Sequence, residues 1–118
     1  METRDQKELS LEEIIHIANK LGLEHVDRRK DAERLELLRT SIRARIMNRL
    51  EAEAKERIPE ARLKRLAEAD PEYVQSLEDI AVARSEAEKL RVRYESYRNL
   101  FDARRTMISY RKAELKTL

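Results

Sequence analysis

The sequence predicts an all-α protein: a short N-terminal helix, a basic middle helix and a long C-terminal helix, folded as a coiled-coil-like helical hairpin that oligomerises. Three observations carry this expectation. The 118 residues include one glycine and two prolines, and none of the 96 residues after Gly22 is a glycine. Strand-and-turn folds need more punctuation than that. Apolar residues are 41% and charged residues 42% of the chain, with Arg, Glu, Ala and Leu in heavy use, which is the composition of long helices rather than of a thick globular core. Third, the last part of the chain repeats every seven residues. Tyr73, Ile80, Ala87, Tyr94, Phe101, Ile108 and Leu115 form one apolar column, with Ala83, Leu90 and Tyr97 three residues after members of it. That spacing marks a helix with a packing seam.

The elements follow in order within a single helical domain, 1–118. Ser10 and Glu13 have the spacing of a capping box, so a short docking helix is expected over 11–21. Leu11, Ile14, Ile15, Ala18 and Leu21 share its apolar face, and Gly22 is placed to end it. A polar connection leads to a basic helix over 31–58, where Leu35, Leu38, Ile42, Ile46 and Leu50 recur at three- and four-residue steps. Pro59 breaks or kinks that helix, because proline lacks an amide hydrogen and disfavours helical geometry at the residue before it. A brief helix over 60–69 follows. Asp70-Pro71-Glu72 is the clearest start in the chain: a capping aspartate, proline at the first helical position and an acid against the positive helix end. The seam-forming helix then spans 71–116. A rod of that length does not hide its own seam. Tyr73, Ile80, Leu90, Tyr94, Tyr97, Phe101 and Ile108 are therefore the expected oligomerisation residues.

Charge is distributed unevenly although the net charge is only +2. Residues 60–90 hold 5 bases and 8 acids, whereas residues 91–118 hold 8 bases and 3 acids. Such polarity suits either nucleic acid or head-to-tail self-association. Two groups of cations stand out. Arg84, Arg91, Arg98, Arg105 and Lys112 form a column four residues after the apolar one, spanning roughly 42 Å of helix. Arg39, Arg43, Arg45 and Arg49 crowd a stretch between Glu36 and Glu51 with no acid at all. Like charges four residues apart cost a helix a few tenths of a kcal/mol, so something else must offset them. A phosphate backbone would, and so would acids of the third helix or of a neighbouring subunit, since the guanidinium fork fits both. The column has its own plain reading as the charged flank of a coiled-coil seam. Tyr94, Tyr97 and Phe101 read as seam residues, and Tyr110 as the aromatic placed to stack on a base.

No enzyme, cofactor or metal site is expected. The chain has no cysteine, its histidines His16 and His25 lack metal-ligand spacing, and it carries neither a glycine-rich phosphate loop nor a Ser-His-Asp grouping. The absence of an apolar stretch of membrane-span length, and of a signal peptide core near Met1, points to a cytoplasmic protein that does not contact a membrane.

The order of parts resembles the UvsY family of phage recombination mediators. Ile42-Arg43-Ala44-Arg45 is similar to the family's aliphatic, basic, variable, arginine motif in its DNA-binding helix. Asp70-Pro71-Glu72-Tyr73 resembles the acidic start of its long helix, and the run from Arg104 to Lys112 its basic and aromatic ending. The loop Glu56-Arg57-Ile58-Pro59 is shorter than the family's glycine-containing one, and tryptophan is missing from the C-terminal motif. The resemblance implies a homo-oligomer that binds single-stranded DNA and helps load a RecA-like recombinase onto DNA coated by single-strand binding protein, in host cytoplasm if phage-encoded. Arg43 and Arg45 would be the first DNA contacts, joined by Arg39, Arg49, Arg105, Arg111 and Lys112. The alternatives are a structural or chaperone-like coiled-coil oligomer whose charges only choose partner and register, and an adaptor whose long helix enters another protein's groove.

Overall fold

The computed structural model describes residues 9–117 and is all-helical over them. Helix α1 runs Leu11–Glu53, α2 Glu60–Glu68 and α3 Pro71–Thr117. The start of α1 is capped as its sequence requires: the Ser10 Oγ accepts the Glu13 amide at 3.1 Å and donates to the Glu13 carboxylate at 3.1 Å.

Two expected boundaries are corrected. The short helix over 11–21 and the basic helix over 31–58 are parts of one unbroken α1, so Gly22 ends nothing. No described residue, Gly22 included, has a positive φ, so the left-handed cap that would favour glycine there does not form. Gly22 serves close approach instead. A Cβ built on it would lie 3.0 Å from Cε1 and 3.2 Å from Cδ1 of the Tyr94 ring. The other correction is at the far end, where α1 stops at Glu53 rather than near Ile58. Its last turn holds no base and includes Glu51 and Glu53, acids that oppose the negative end of the helix dipole. The chain bends at Lys55 and Glu56 before Pro59 starts α2 with its carbonyl, which accepts the Arg62 and Leu63 amides at 3.0 and 2.9 Å.

Asp70 caps α3: its Oδ1 accepts the Glu72 amide at 2.9 Å and its carbonyl accepts the Val74 amide at 3.0 Å. Pro71 takes the first helical position, where its missing amide hydrogen costs nothing.

The chain divides into two compact units. The central unit is Asp27–Ala87. In it α1 and α3 run antiparallel, since Arg45 meets Glu72 while Glu36, nearer the N-terminus, meets Arg84. Its core joins Ile46, Ala67 and Tyr73, with Ile42, Met47 and Leu50 packed against them, so one buried residue comes from each helix. Ala32, Leu63, Ile80 and Ala87 are buried as well, and the one buried polar residue, Ser76, donates to the Tyr73 carbonyl at 2.6 Å. The terminal unit is Met1–Val26 with Glu88–Leu118. Here Ile14, Ala18 and Leu21 of α1 are buried, while Leu90, Tyr94, Tyr97 and Phe101 of α3 are half-buried. The two helices again run antiparallel here, since Tyr94 faces Gly22 while Arg104 donates to the Leu9 carbonyl.

The apolar column of α3 is therefore used within the chain along most of its length. Tyr73, Ile80 and Ala87 are buried in the central unit, and Tyr94 and Phe101 are half-buried in the terminal one. Past Arg104 every described residue is exposed, and the column emerges in Ile108 and Leu115.

Candidate nucleic-acid interface

Four arginines of α1 were the first expected contacts for a polyanion. Three of them hold acids of α2 and α3 in the central unit. Arg43 Nη1 lies 3.3 Å from Glu68 Oε1, Arg45 Nη2 2.6 Å from Glu72 Oε2, and Arg49 Nη2 2.7 Å from Asp70 Oδ2. Arg39 is half-buried and has no ion pair among the described residues. The like-charge crowding read from the sequence is thus offset by a row of carboxylates where α2 passes into α3. Asp70 serves twice, as cap and as counter-ion. The Glu72 amide first and the Arg49 guanidinium second hold its carboxyl below the usual range, and the same contact raises the Arg49 guanidinium. The Arg45–Glu72 pair is solvent-exposed and the other two are partly so, and pairs of this kind add little to stability. Their larger effect is to cancel the positive potential a phosphate chain would meet.

The cationic column on α3 divides in the same manner. Arg84 is bound by Glu36. Arg91 is held between Glu88 and Glu95 on its own helix, which raises its guanidinium and lowers the Glu88 carboxyl. From Arg98 onward the partners change. The Arg98 guanidinium carbon stands 5.8 Å from the centroid of Tyr94 and Arg98 Nη1 donates to the Tyr94 hydroxyl at 3.3 Å, which raises Arg98. Arg105 repeats the arrangement on Phe101 at 5.9 Å, with only a loose pair to Asp102 at 3.9 Å. Lys112, next in the column, is exposed and has no ion pair among the described residues.

Tyr94, Arg98, Phe101, Asp102 and Arg105 line one groove of about 300 Å³ in the terminal unit, with Ile15, Ala18 and Asn19 of α1 as its other wall. The local cause is the helical repeat. Each arginine follows its aromatic by four residues, which places it one turn on and over the ring. An arginine placed over an aromatic ring leaves donors that the ring does not use. Such a layer offers a stacking surface for a base and a fork for a phosphate side by side.

The other expected site residues fall differently. Arg111 is exposed but lies six positions from Arg105, about a third of a turn round the helix from the Arg98, Arg105, Lys112 line. Tyr110 is 65% exposed and on the side opposite Phe101, away from that line. Of the oligomerisation residues, Tyr73 and Ile80 are buried inside the central unit, Leu90, Tyr94, Tyr97 and Phe101 are half-buried in the terminal unit, and Ile108 is exposed. Sequence reasoning placed Arg98 in the cationic column without naming it among the expected contacts, and it read Tyr94 and Phe101 as seam residues. The signal was available as an aromatic followed by arginine at four residues, occurring twice at a seven-residue interval.

Among the described residues no helix is long and apolar enough to cross a membrane, and no group of three or more side chains is placed to hold a metal ion. No protein-family model matches the chain, and no curated protein or solved structure matches it either.

Proposed function

We propose that this chain is a non-enzymatic helical protein that binds single-stranded DNA along the Arg98, Arg105, Lys112 line of α3, with bases stacking against the arginine-covered rings of Tyr94 and Phe101. The observation that carries this reading is the change of partners along α3. Arg84 and Arg91, earlier in the column, are held closely by carboxylates, whereas Arg98 and Arg105 rest on aromatic rings in one open groove, where Asp102 stands 3.9 Å from Arg105. Residues 104–117 add to the attraction, with five cations and a single acid, Glu114. Single-strand binders combine a positive track with aromatic platforms in this way. The resemblance to recombination mediators gives the process: an oligomeric accessory factor, built on a coiled-coil-like hairpin, that helps a RecA-like recombinase displace single-strand binding protein.

Binding of a labelled single-stranded oligonucleotide, followed by anisotropy across a salt series, tests the reading. Each phosphate neutralised contributes about −0.7 to the log–log slope, so a contact of three cations predicts a slope near −2. A flat salt dependence, or no binding at low salt, overturns it.

A second reading has its own support. The pairing of Arg43, Arg45 and Arg49 with Glu68, Glu72 and Asp70 is what a structural coiled-coil protein requires, with charges that set register and contact nothing else. That protein would show no polynucleotide affinity in the same assay.

A further inference from the structure

The end of α3 presents a second stripe beside the cationic line. Met107, Ile108, Arg111 and Leu115 follow one another at one, three and four residues, which places them on one side of the helix. All four are exposed, Met107 by 55% and Leu115 by 70%, and Arg111 has no ion pair among the described residues. A helix stripe that is apolar and basic and has no cover is half of an interface.

The central unit holds a surface of the opposite character. A groove of about 320 Å³ between α1 and α3 is floored by Leu35, Val82 and Ala83 and rimmed by Asp31, Asp79 and Glu86, against the single cation Arg28. Val82 is 61% exposed there. Asp31 and Glu86 have no ion pair among the described residues, and Asp79 accepts only the Gln75 amide, at 3.0 Å. Apolar floor with an acidic rim matches apolar stripe with a basic edge.

The geometry points to a second copy of this chain as the occupant: the Met107, Ile108, Arg111, Leu115 stripe of one copy docks in the Leu35, Val82, Ala83 groove of the next, with Arg111 answering Asp79 and Glu86. Such an interface is head-to-tail, and it propagates into larger species unless it closes into a ring. It explains why the sequence places its acidic excess in residues 60–90 and its basic excess in residues 91–118. The contact uses neither Arg98, Arg105 nor Lys112, and it shares with the nucleic-acid reading only Arg111, one of the five cations of residues 104–117.

Light scattering on the full chain without nucleic acid tests it, with circular dichroism confirming that every variant keeps its helix content. The wild type should form species at multiples of 14.0 kDa that grow with concentration and dissociate in salt. Asp79→Lys/Glu86→Arg, which inverts the groove, and Arg111→Glu, which inverts the charge of the stripe, should each be monomeric alone. Mixed in equal amounts they should assemble again into alternating species, because the unchanged stripe of one variant fits the unchanged groove of the other and the inverted stripe fits the inverted groove. Leu115→Ser, which keeps every charge, should weaken wild-type assembly at least tenfold. A monomeric wild type overturns the inference, as does an assembly that survives either charge inversion, or a mixture that stays monomeric. Oligonucleotide affinity of the monomeric groove variant, measured separately, reports on the nucleic-acid reading alone.

Discussion

The two units use similar material to different ends. In the central unit, α1 supplies Arg43, Arg45 and Arg49, and Glu68, Asp70 and Glu72 stand opposite them, so the arginines fix how α1, α2 and α3 register. In the terminal unit, Arg98 and Arg105 have rings beneath them and a groove in front. The lesson is that the number of arginines in a segment says little about a polyanion site. What matters is whether each positive group is answered by a carboxylate or left on a surface that does not neutralise it. Three closely spaced acids answer three of the four arginines in the most basic run of the chain, while on α3 Arg98 lies over a ring with no ion pair among the described residues and Arg105 has only a loose one, to Asp102.

Perturbing each unit separately sharpens this contrast. The largest effect is expected from emptying the cores. Ile46 in the central unit and Ile14 in the terminal one are fully buried, so Ile46→Ala and Ile14→Ala should each cost about 2–5 kcal/mol by denaturant unfolding. Amide exchange distinguishes them further: Ile46→Ala should speed exchange first within 27–87, and Ile14→Ala first in the residues around Leu21 and Tyr94. Uniform acceleration by both would mean that the units do not open independently.

A smaller effect is expected at Gly22, whose missing side chain lets the Tyr94 ring approach. Gly22→Leu should cost about 1–3 kcal/mol through overpacking and should also displace Tyr94 from beneath Arg98. Tyrosine fluorescence and oligonucleotide affinity should change together. An unchanged affinity would detach the ring from the binding surface.

Breaking one charge pair should matter least. Arg45→Ala removes an exposed pair with Glu72 and should change stability by less than about 1 kcal/mol, read from the denaturant midpoint. The pH dependence of Asp70 gives a test of sign. Its carboxyl is lowered in the folded chain, so its contribution to stability is complete above the unfolded value of about 3.9 and is lost as the pH falls through the folded one. Asp70→Asn keeps a capping side chain but not the charge. The melting temperature of the variant should lie below the wild type at pH 7, and the gap should close below about pH 4. A gap that persists at pH 2 would assign the loss to packing.

Much of the fold was legible in the sequence, for identifiable reasons. The all-α class followed from the near absence of glycine, and Asp70-Pro71-Glu72 announced the start of α3 because capping is a local event. Gly22 was misread because a glycine that ends a helix and one that admits a ring look the same in one dimension. The end of α1 at Glu53 was missed because proline was taken as the only stop signal, although acids at a helix C-terminus weaken it as well. The site was less legible than the fold. That Glu68, Asp70 and Glu72 oppose Arg43, Arg49 and Arg45 depends on how two turns bring α2 and α3 back along α1, information that no local pattern holds. The aromatic and arginine steps at Tyr94–Arg98 and Phe101–Arg105 were visible, but the seam repeat explained the aromatics first.

The contrast between wired and available arginines is tested most directly by the salt dependence of single-stranded oligonucleotide binding for two double variants. Arg98→Ala/Arg105→Ala should reduce the magnitude of the log–log slope by about 1.4, whereas Arg43→Ala/Arg45→Ala should leave it within about 0.3 of wild type. A slope that collapses for the α1 variant and holds for the α3 variant would contradict the account.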